Sequence, residues 1–358
     1  MEGLGVLAIN PGSTSTKIGV FVDLNPIFLK NIQHDKDELA RFEKITDQFD
    51  YRKNMIAKQL NDGGVPESSV HAIVGRGGLL RPIESGVYEV NERMKQDLRN
   101  SPIGEHASNL GGLIADAFAR QLTGVKAYIA NPVVVDELDP IARISGNPLF
   151  ERKSIFHALN QKAVARQHAK SVMRNYESMN LIVAHLGGGI TVGAHKQGRV
   201  VDVNNGLDGE GPFSPERSGT LPIGDIVKTC FSGKYSQKEV MKMIKGEGGL
   251  VGYFGTNDAY EVEQMMAAGD PRAALIYEAM AYQVAKDIGA MSAVLHGWVD
   301  AIIITGGIAH SKWFTNQIIE RVHKIAPVHV YPGEDEMKAL AYNGMRVLRG
   351  ETTAKEYL

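Results

Sequence analysis

Apolar residues near the start of the chain fall into two short β-branched runs, at 6–9 and 18–22, on either side of a small and polar segment. This pattern predicts a strand, a tight turn and a second strand, with Pro11-Gly12 supplying the bend. The pattern returns at 181–194, where three consecutive glycines separate the apolar runs, and a further strand is predicted at 199–203. Two similar hairpins in one chain predict an internal duplication, and hence two related α/β domains.

Between and after these hairpins the apolar spacing changes to that of helices. Residues 53–60 and 110–122 predict helices, whereas short apolar runs at 72–74 and 127–129 predict buried strands. The clearest helix starts at Asp270-Pro271, a capping residue followed by proline, and is expected to stop near Gly297. A buried strand at 300–305 leads into Gly306-Gly307. A last helix at 336–349 is expected to pack back on the N-terminal domain.

Composition restricts the classes of function. A length of 358 residues predicts two domains, and a formal net charge of −2 argues against a nucleic-acid partner. No apolar run approaches the roughly 20 residues that span a bilayer, and the first residues lack a secretory pattern, so we expect a cytoplasmic protein away from membranes. The single cysteine, Cys230, excludes an internal disulfide and a CxxC zinc site.

The 39 glycines exceed the usual share of about 7%, and many lie in short clusters that follow predicted strands. Glycine turns expose backbone N–H groups to an anion, and residues 10–17 add hydroxyl groups and Lys17, although they do not form a Walker A loop. Each cluster also has an ordinary explanation. The glycines at 187–189 could form a bulge, Gly306-Gly307 a strand-to-helix turn, and Asp258 a helix cap.

Six motifs follow one another along nearly the whole chain: residues 10–17, Phe156-His157, residues 185–189, residues 215–219, residues 305–308 and residues 333–336. Together they resemble the acetokinase family, and within it the butyrate kinases. The resemblance implies two duplicated α/β domains of the sugar-kinase, Hsp70 and actin (ribonuclease H-like) type, with ATP in an interdomain cleft. The expected domains are 1–136 with about 338–358, and 137–337.

The family's functional residues carry over to matching positions. The resemblance implies Mg²⁺ at Asn10 and Glu336, and the substrate carboxylate at Arg76. The catalytic residues it implies are Asp136, His157 and Arg217. The nucleotide-binding residues it implies are Ser13, Ser15, Lys17, His185, Gly187, Gly188, Gly189, Asp258, Gly306 and Gly307.

Physical chemistry favours particular roles for these residues. The acceptor acid is already an anion, so Asp136 is expected to orient Mg²⁺ rather than to remove a proton. Guanidinium forks such as Arg76 and Arg217 can hold a carboxylate or a phosphoryl oxygen, and His157 can donate a hydrogen bond. Ordinary alternatives stay open: His157 as a helix cap, Asp136 as a solvated acid, and Glu336 as a residue that stabilises a helix N-terminus.

Gly77-Gly78 follow Arg76, where acetate kinases have bulky residues, and we expect them to widen the acid pocket. Butyrate is therefore the favoured substrate, with isobutyrate, acetate or propionate as alternatives and an acyl phosphate as product. A sugar or hexosamine kinase, or an ATP-driven conformational switch, is the rival hypothesis. The family also suggests a homo-oligomer, either a dimer or an assembly of dimers.

Overall fold

The computed structural model describes residues 3–358, which form eleven strands and thirteen α-helices. The strands are β1 (Gly5–Pro11), β2 (Ser15–Val22), β3 (Asn25–Gln33), β4 (Ala72–Arg76), β5 (Val87–Glu89), β6 (Lys126–Ala130), β7 (Asn180–Leu186), β8 (Ile190–Lys196), β9 (Arg199–Val203), β10 (Ala301–Gly306) and β11 (Val328–Pro332). The helices are α1 (Lys36–Leu39), α2 (Phe49–Asp62), α3 (Glu92–Asn100), α4 (Asn109–Ala119), α5 (Pro140–Arg143), α6 (Ala158–Ser171), α7 (Ile223–Cys230), α8 (Gln237–Ile244), α9 (Gly249–Phe254), α10 (Ala259–Ala267), α11 (Pro271–Val294), α12 (Lys312–Val322) and α13 (Glu336–Leu348).

The first compact unit runs to Val135 and takes in Asp335–Leu358 from the end of the chain. Its sheet has the order β3-β2-β1-β4-β6-β5, in which β1 pairs antiparallel with β2 and parallel with β4. Helices α4 and α13 pack on the central strands, and every residue of β1 is buried. A Cβ at Gly344 of α13 would collide with Val6 and Val74, so glycine lets this helix approach the sheet closely.

The second compact unit comprises Asp136–Glu334, and its sheet has the order β11-β10-β7-β8-β9. Successive residues of β7 and β10 face opposite sides of this sheet. Ile182 and Ile302 belong to the apolar cluster formed with α11 and α12. Leu181 and Ala301 belong to the cluster formed with α6. The sheet is therefore buried on both faces, which explains why its central strands are almost wholly apolar.

The two sheets share one strand order. In each, an antiparallel three-stranded meander (β1–β3 or β7–β9) is followed by a strand that joins the first strand in parallel, and then by another parallel strand. The first sheet adds only the short β5 at its edge. This correspondence confirms the internal duplication predicted from the two hairpins.

Most predicted elements are confirmed, with small shifts at their ends. Asp270 caps α11 by accepting hydrogen bonds from two backbone N–H groups, as its sequence predicts. The helix ends at Val294, before the predicted stop, and Gly297 lies in the following turn with φ +75°. Pro11 does not form the first bend, because it still pairs with Thr16 as the last residue of β1. The turn is made by the next residues, closed by a 2.8 Å hydrogen bond from Gly12 N to Ser15 O.

Helix α13 returns to the first unit, where it contacts β1 and β4, as expected for the last predicted helix. Throughout residues 3–358, the helices lack the combined length and apolar character needed to cross a membrane.

Candidate active site

Three predicted residues of the first unit meet in one polar cluster. Asn10 Nδ2 donates a 2.6 Å hydrogen bond to Glu336, and Arg76 Nη1 lies 3.1 Å from a Glu336 oxygen and 3.3 Å from Asn10 Oδ1. Asn10 is buried, whereas the Arg76 and Glu336 side chains are about a fifth to a quarter exposed. The cluster therefore joins the predicted acid-binding arginine to both predicted metal-site residues.

The fold brings these residues together from distant parts of the chain. Asn10 is the penultimate residue of β1, Arg76 ends the neighbouring parallel strand β4, and Glu336 opens α13. The helix cap is Asp335, which accepts a 2.9 Å hydrogen bond from Lys338 N. Since Asp335 caps the helix, Glu336 is available to Arg76 and Asn10.

Lys17 lies directly opposite Asn10 in the antiparallel β1–β2 pair, so both side chains project from the same face of the sheet. The Lys17 side chain is exposed, and its ammonium group has no partner within residues 3–358. Ser13 is exposed and Ser15 half-buried in the turn before it. An unpaired cation beside a hydroxyl-rich turn is suited to binding an anion.

The turn at residues 12–15, which we call the serine turn, rests on a completely buried arginine. Arg52 of α2 donates hydrogen bonds to the carbonyl oxygens of Gly12 (2.8 Å), Ser13 (3.1 Å) and Ser15 (3.2 Å). Its side chain forms no ion pair with any described residue, and burial lowers its pKa to about 10. The guanidinium draws the carbonyl groups of the serine turn inward and places a positive charge beneath it.

The role of Arg52 is not evident from the sequence. This residue lies in a helix rich in charged residues, where a lone arginine normally indicates a solvated face. Only the contact between α2 and the serine turn reveals its position.

Asn10 and Glu336 fit the predicted Mg²⁺ site in part. Both offer oxygen atoms, the ligands that Mg²⁺ prefers, and this ion commonly takes only one or two protein carboxylates beside water and phosphate oxygens. Within residues 3–358 no group of three or more histidine, cysteine or acidic side chains could hold a metal ion. The donor set therefore suits an ion that arrives with a nucleotide rather than one held in an all-protein cage.

Gly77 and Gly78 are not used as the sequence analysis expected. A Cβ at Gly77 would lie 2.6 Å from Pro132 Cβ, and a Cβ at Gly78 would lie 2.6 Å from Asn109 Cα. Both glycines are buried, and the space left by their missing side chains is filled by the protein itself. The prediction that they widen an acid pocket is therefore wrong. The sequence around Arg76 does not reveal that a helix and a loop from elsewhere in the chain pack against both glycines.

In the second unit, the turn at residues 187–189, which we call the glycine turn, is covered by the loop that contains Arg217. Gly188 O accepts hydrogen bonds from Ser214 Oγ at 2.7 Å and from Glu216 N at 3.3 Å. A Cβ on Gly189 would collide with the Arg217 guanidinium. Glycine at this position therefore lets Arg217 lie flat against the turn, whereas Gly188 stays exposed.

Arg217 is held without a carboxylate partner. Its guanidinium donates to Gly206 O and, within the described residues, makes no ion pair. Burial lowers the pKa of Arg217, while Glu216 and Asp208 act in the opposite direction. A half-buried guanidinium held by backbone is a fixed positive charge, the kind of group that can stabilise a phosphoryl oxygen.

Two predicted histidines stack beside the glycine turn. The rings of His157 and His185 are 3.9 Å apart between centroids, with planes inclined by 16°. His157 Nδ1 lies 2.9 Å from Thr191 Oγ1, and His185 Nδ1 lies 2.8 Å from Asn160 Oδ1. The position of His157 next to Gly189 also brings it near Arg217.

Of the other predicted nucleotide residues, Gly306 and Gly307 lie at the carboxyl end of β10, whereas Asp258 lies at the start of α10. Gly306 has φ +95°, and a Cβ there would collide with the Leu186 carbonyl at the end of β7, so the Gly306-Gly307 turn adjoins the glycine turn. Gly307 is exposed. Asp258 caps α10 by accepting a 2.9 Å hydrogen bond from Tyr260 N, which is the ordinary alternative left open for it.

Asp136 forms a bidentate ion pair with Arg143, at 2.7 and 2.6 Å. One of its oxygens also accepts a 3.2 Å hydrogen bond from Leu138 N. The ion pair with Arg143 offsets the negative charge of Asp136, but among the described residues Oδ2 takes only this one hydrogen bond and keeps a second acceptor site. Of the three predicted catalytic residues, the described contacts bring His157 and Arg217 together but do not join Asp136 to either.

Comparison with known proteins places the chain in a family. The model of the acetokinase family matches residues 144–330, just over half of the chain. The structure is similar to acetate kinase from Porphyromonas gingivalis, with a TM-score of 0.79 and 18% identity over 96% of this chain and 100% of that one.

Two further solved structures have the same fold. A propionate kinase from Francisella tularensis subsp. tularensis matches with a TM-score of 0.72 and 19% identity, over 96% of this chain and 99% of that one. Acetate kinase from Entamoeba histolytica matches with a TM-score of 0.70 and 17% identity, over 94% and 97%. The predicted fold class, two α/β domains of the sugar-kinase, Hsp70 and actin type, is thereby confirmed. Since the family model covers more than half of its residues, the chain belongs to the acetokinase family.

Proposed function

We propose that this chain is a carboxylate kinase that transfers the terminal phosphoryl group of ATP to a short-chain acid, giving an acyl phosphate and ADP in a reversible reaction. Membership of the acetokinase family supports this proposal, because that family consists of kinases that use ATP with Mg²⁺ and phosphorylate carboxylates. Two of the structurally similar proteins are acetate kinases and one is a propionate kinase.

The observation that carries the proposal is the state of Arg217. The reaction joins two anions, so their mutual repulsion must be offset by fixed positive charge. Arg217 supplies such a charge: it is half-buried, held by the backbone carbonyl of Gly206 and unpaired with any described carboxylate. It also lies beside His157, which can add a directed hydrogen bond to the same group.

The proposed reaction needs no base. The carboxylate oxygen of the acid attacks the terminal phosphorus of ATP, the bond from phosphorus to the bridging oxygen breaks, and ADP leaves with the electron pair. In this proposal Arg76 binds the acid, while Arg217 and His157 stabilise the oxygens of the transferring phosphoryl group. Asp136 is assigned an orienting role rather than proton removal.

The nucleotide would be bound by backbone groups and by Lys17. Gly188 and Gly307 are both exposed. Apart from chain neighbours, the nearest described atom to a Cβ on Gly188 would be a Glu216 oxygen at 3.8 Å, and a Cβ on Gly307 would meet none within 4 Å. Phosphate oxygens could therefore approach the backbone closely at these two positions. Ser13, Ser15 and Lys17 are proposed to serve the phosphates from the first unit, and His185, Gly187 and Asp258 to complete the nucleotide site.

Asn10 and Glu336 are the residues proposed to hold Mg²⁺. When bound, Mg²⁺ would neutralise phosphate charge. In the present structure Glu336 is engaged by Arg76 and Asn10, so Arg76 has to exchange this carboxylate for that of the substrate.

Butyrate stays the favoured acid through the resemblance to butyrate kinases, with isobutyrate, acetate and propionate as alternatives. The glycine pair after Arg76 no longer supports this choice, since its space is filled by protein atoms. Each further buried methylene contributes about 0.8 kcal/mol, so the panel of acids must differ by single carbons. A cytoplasmic location and assembly as a homo-oligomer stay predictions.

The test is to trap the acyl phosphate with hydroxylamine. The enzyme is incubated with ATP, Mg²⁺ and straight or branched acids of two to five carbons, and hydroxamate is measured. We expect hydroxamate formation that depends on the acid, with the highest kcat/KM for butyrate. A higher kcat/KM for acetate would overturn the substrate assignment alone, while slow ATP turnover independent of any acid would favour a conformational switch and overturn the proposal.

A pair of variants tests the acid site. Arg76→Gln should raise the KM for the acid by at least tenfold, because the fork that holds the carboxylate is lost. Arg41→Gln is the matched control, since Arg41 is exposed on the same unit and pairs only with Glu38 among the described residues. Equal KM values for the two variants would remove Arg76 from the site.

A further inference from the structure

Five side chains of the second unit form one continuous run of hydrogen bonds that ends at His157. Tyr176 Oη lies 2.8 Å from His195 Nδ1, and His195 Nε2 lies 2.9 Å from Gln161 Oε1. Gln161 Nε2 lies 2.9 Å from Thr191 Oγ1, which in turn lies 2.9 Å from His157 Nδ1. The first four side chains are at most 2% exposed, so bulk water cannot replace any of these partners.

The orientation of the Gln161 amide is set by a backbone group. Gln161 Nε2 also lies 3.0 Å from the Thr191 carbonyl oxygen, which can only accept a hydrogen bond. The amide NH₂ must therefore face Thr191, and the amide oxygen must face His195. Since an amide oxygen cannot donate, His195 Nε2 carries a proton.

The protonation state of His195 determines which group donates in its hydrogen bond with Tyr176. Burial lowers the pKa of His195 to about 3, so its ring is neutral near pH 7 and carries only the Nε2 proton. Nδ1 therefore accepts, and Tyr176 donates to it. Burial also raises the pKa of Tyr176, which keeps its hydroxyl protonated.

Thr191 accepts a hydrogen bond from Gln161 and donates one to His157. Its hydroxyl oxygen accepts an N–H group of Gln161, and its single proton needs an acceptor because the side chain is completely buried. Within residues 3–358, the other side-chain group at hydrogen-bond distance from this hydroxyl is His157 Nδ1. The proton of Thr191 thus points at His157 Nδ1, which must be unprotonated to accept it.

We propose that this run of hydrogen bonds fixes His157 as the neutral tautomer with its proton on Nε2, and that Thr191 and Gln161 are positioning residues for phosphoryl transfer. The catalytic part of this inference rests on the proposed function, whereas the tautomer does not. His157 then presents Nε2–H as a directed donor, and Arg217 supplies the positive charge. The neutral ring stacks on that of His185, with 3.9 Å between the ring centroids.

The tautomer can be measured directly in the whole protein without substrate. Histidine labelled with ¹⁵N in the ring is incorporated, and the His157 signals are assigned by their loss in His157→Gln. We expect an imine-type nitrogen at Nδ1 and a pyrrole-type nitrogen at Nε2 at pH 7.5. A pyrrole-type Nδ1, or two protonated nitrogens, would overturn the inference.

Substitutions at Thr191 test the positioning role. Thr191→Val has nearly the same shape but no hydroxyl, and Thr191→Ser keeps the hydroxyl. We expect Thr191→Val to lose the fixed tautomer and to lower kcat by about tenfold to hundredfold, as for other groups that orient a functional histidine, with the KM for ATP unchanged. Thr191→Ser should retain both the tautomer and most of kcat.

Thr315→Val is the matched control, since Thr315 is a buried threonine of α12 whose hydroxyl, within residues 3–358, bonds only to the backbone carbonyls of Ser311 and Lys312 at the start of that helix. It should leave kcat and the His157 signals unchanged. A Thr191→Val enzyme with wild-type kcat, or loss of kcat in Thr191→Ser, would remove the positioning role. If Thr191→Val does not fold, the wild-type tautomer and the activity of Thr191→Ser still decide. Failure of every acid to give an acyl phosphate would refute the proposed function instead, whatever the tautomer.

Discussion

The serine turn of the first unit and the glycine turn of the second occupy corresponding places in two duplicated sheets, yet they are supported in opposite ways. Each follows the first strand of its sheet and precedes an antiparallel partner. Beneath the serine turn lies the buried Arg52, which gathers three carbonyl groups. Over the glycine turn lies Arg217, which fills the place where a Gly189 side chain would stand.

This difference shows that the same duplicated turn can be supported by an arginine in two different positions. The charge of Arg52 acts from inside the protein and is held by carbonyl dipoles, so it orders backbone. The charge of Arg217 is half-buried against Gly189, and in the proposed reaction it acts on a bound anion. Substitution of Arg52 should therefore affect stability and nucleotide binding, whereas substitution of Arg217 should affect kcat.

The largest expected effect is that of Arg217→Ala. Loss of one fixed electrostatic stabiliser should lower kcat by about 10²–10³, with little change in the KM for ATP, because Arg217 packs on Gly189 and leaves Gly188 exposed. Steady-state kinetics with the preferred acid measures both constants. An unaltered kcat would exclude Arg217 from the reaction.

Arg52→Met should act on stability first. Three carbonyl groups of the serine turn lose their donor, which should lower the free energy of unfolding by about 2–3 kcal/mol and raise the KM for ATP by about tenfold. Urea denaturation and steady-state kinetics are the measurements, with Arg41→Met as a control on the same unit. Arg52→Lys keeps the positive charge but loses the forked guanidinium. Its free energy of unfolding and its KM for ATP should lie between those of the wild type and Arg52→Met. A normal KM for ATP in both Arg52 variants would separate this arginine from nucleotide binding.

Acidic pH should lower the stability of both units, because each contains a buried histidine with a lowered pKa. Burial lowers the pKa of His34, which lies 2.7 Å from Thr16 under the serine turn, from 6.5 to about 4. Between pH 6.5 and 4, His34 is therefore protonated in the unfolded chain but neutral in the folded chain. The free energy of unfolding consequently falls as the pH decreases through this range. Relative to neutral pH, His34 should contribute a loss of about 2 kcal/mol at pH 5.

His195 contributes a loss of the same sign in the second unit. His34→Gln should remove only its own part of the pH dependence, which urea titrations at pH 7.5 and 5 can measure. An identical dependence in wild type and variant would show that His34 is not responsible.

The smallest effects come from two neighbouring glycines. Gly189→Ala places a methyl group against Arg217 and should lower kcat by about tenfold. Gly188→Ala meets no protein atom closer than 3.8 Å, so it should leave the free energy of unfolding unchanged. If phosphates approach this backbone, Gly188→Ala will instead raise the KM for ATP about threefold. The reverse assignment, with kcat affected at Gly188 and the KM at Gly189, would contradict the proposed division of the turn.

Sequence reasoning predicted the hairpins, the duplication and the cap at Asp270, because β-branched runs, glycine turns and capping residues act through near neighbours. It did not reveal Arg52, Thr191 or Gln161, whose partners are set by packing between distant segments. Gly77 and Gly78 illustrate the same limit. A glycine leaves space, but only the fold decides whether that space is taken by Asn109 and Pro132 or stays open.

The contact between Asn10 and Glu336 has a consequence for biosynthesis. Its two residues are separated by 326 positions, whereas the second unit is one contiguous stretch, Asp136–Glu334. During vectorial synthesis on the ribosome the second unit can fold as soon as it has emerged. The first unit must wait for the last two dozen residues, so a nascent chain released early would lack the carboxylate that faces Arg76.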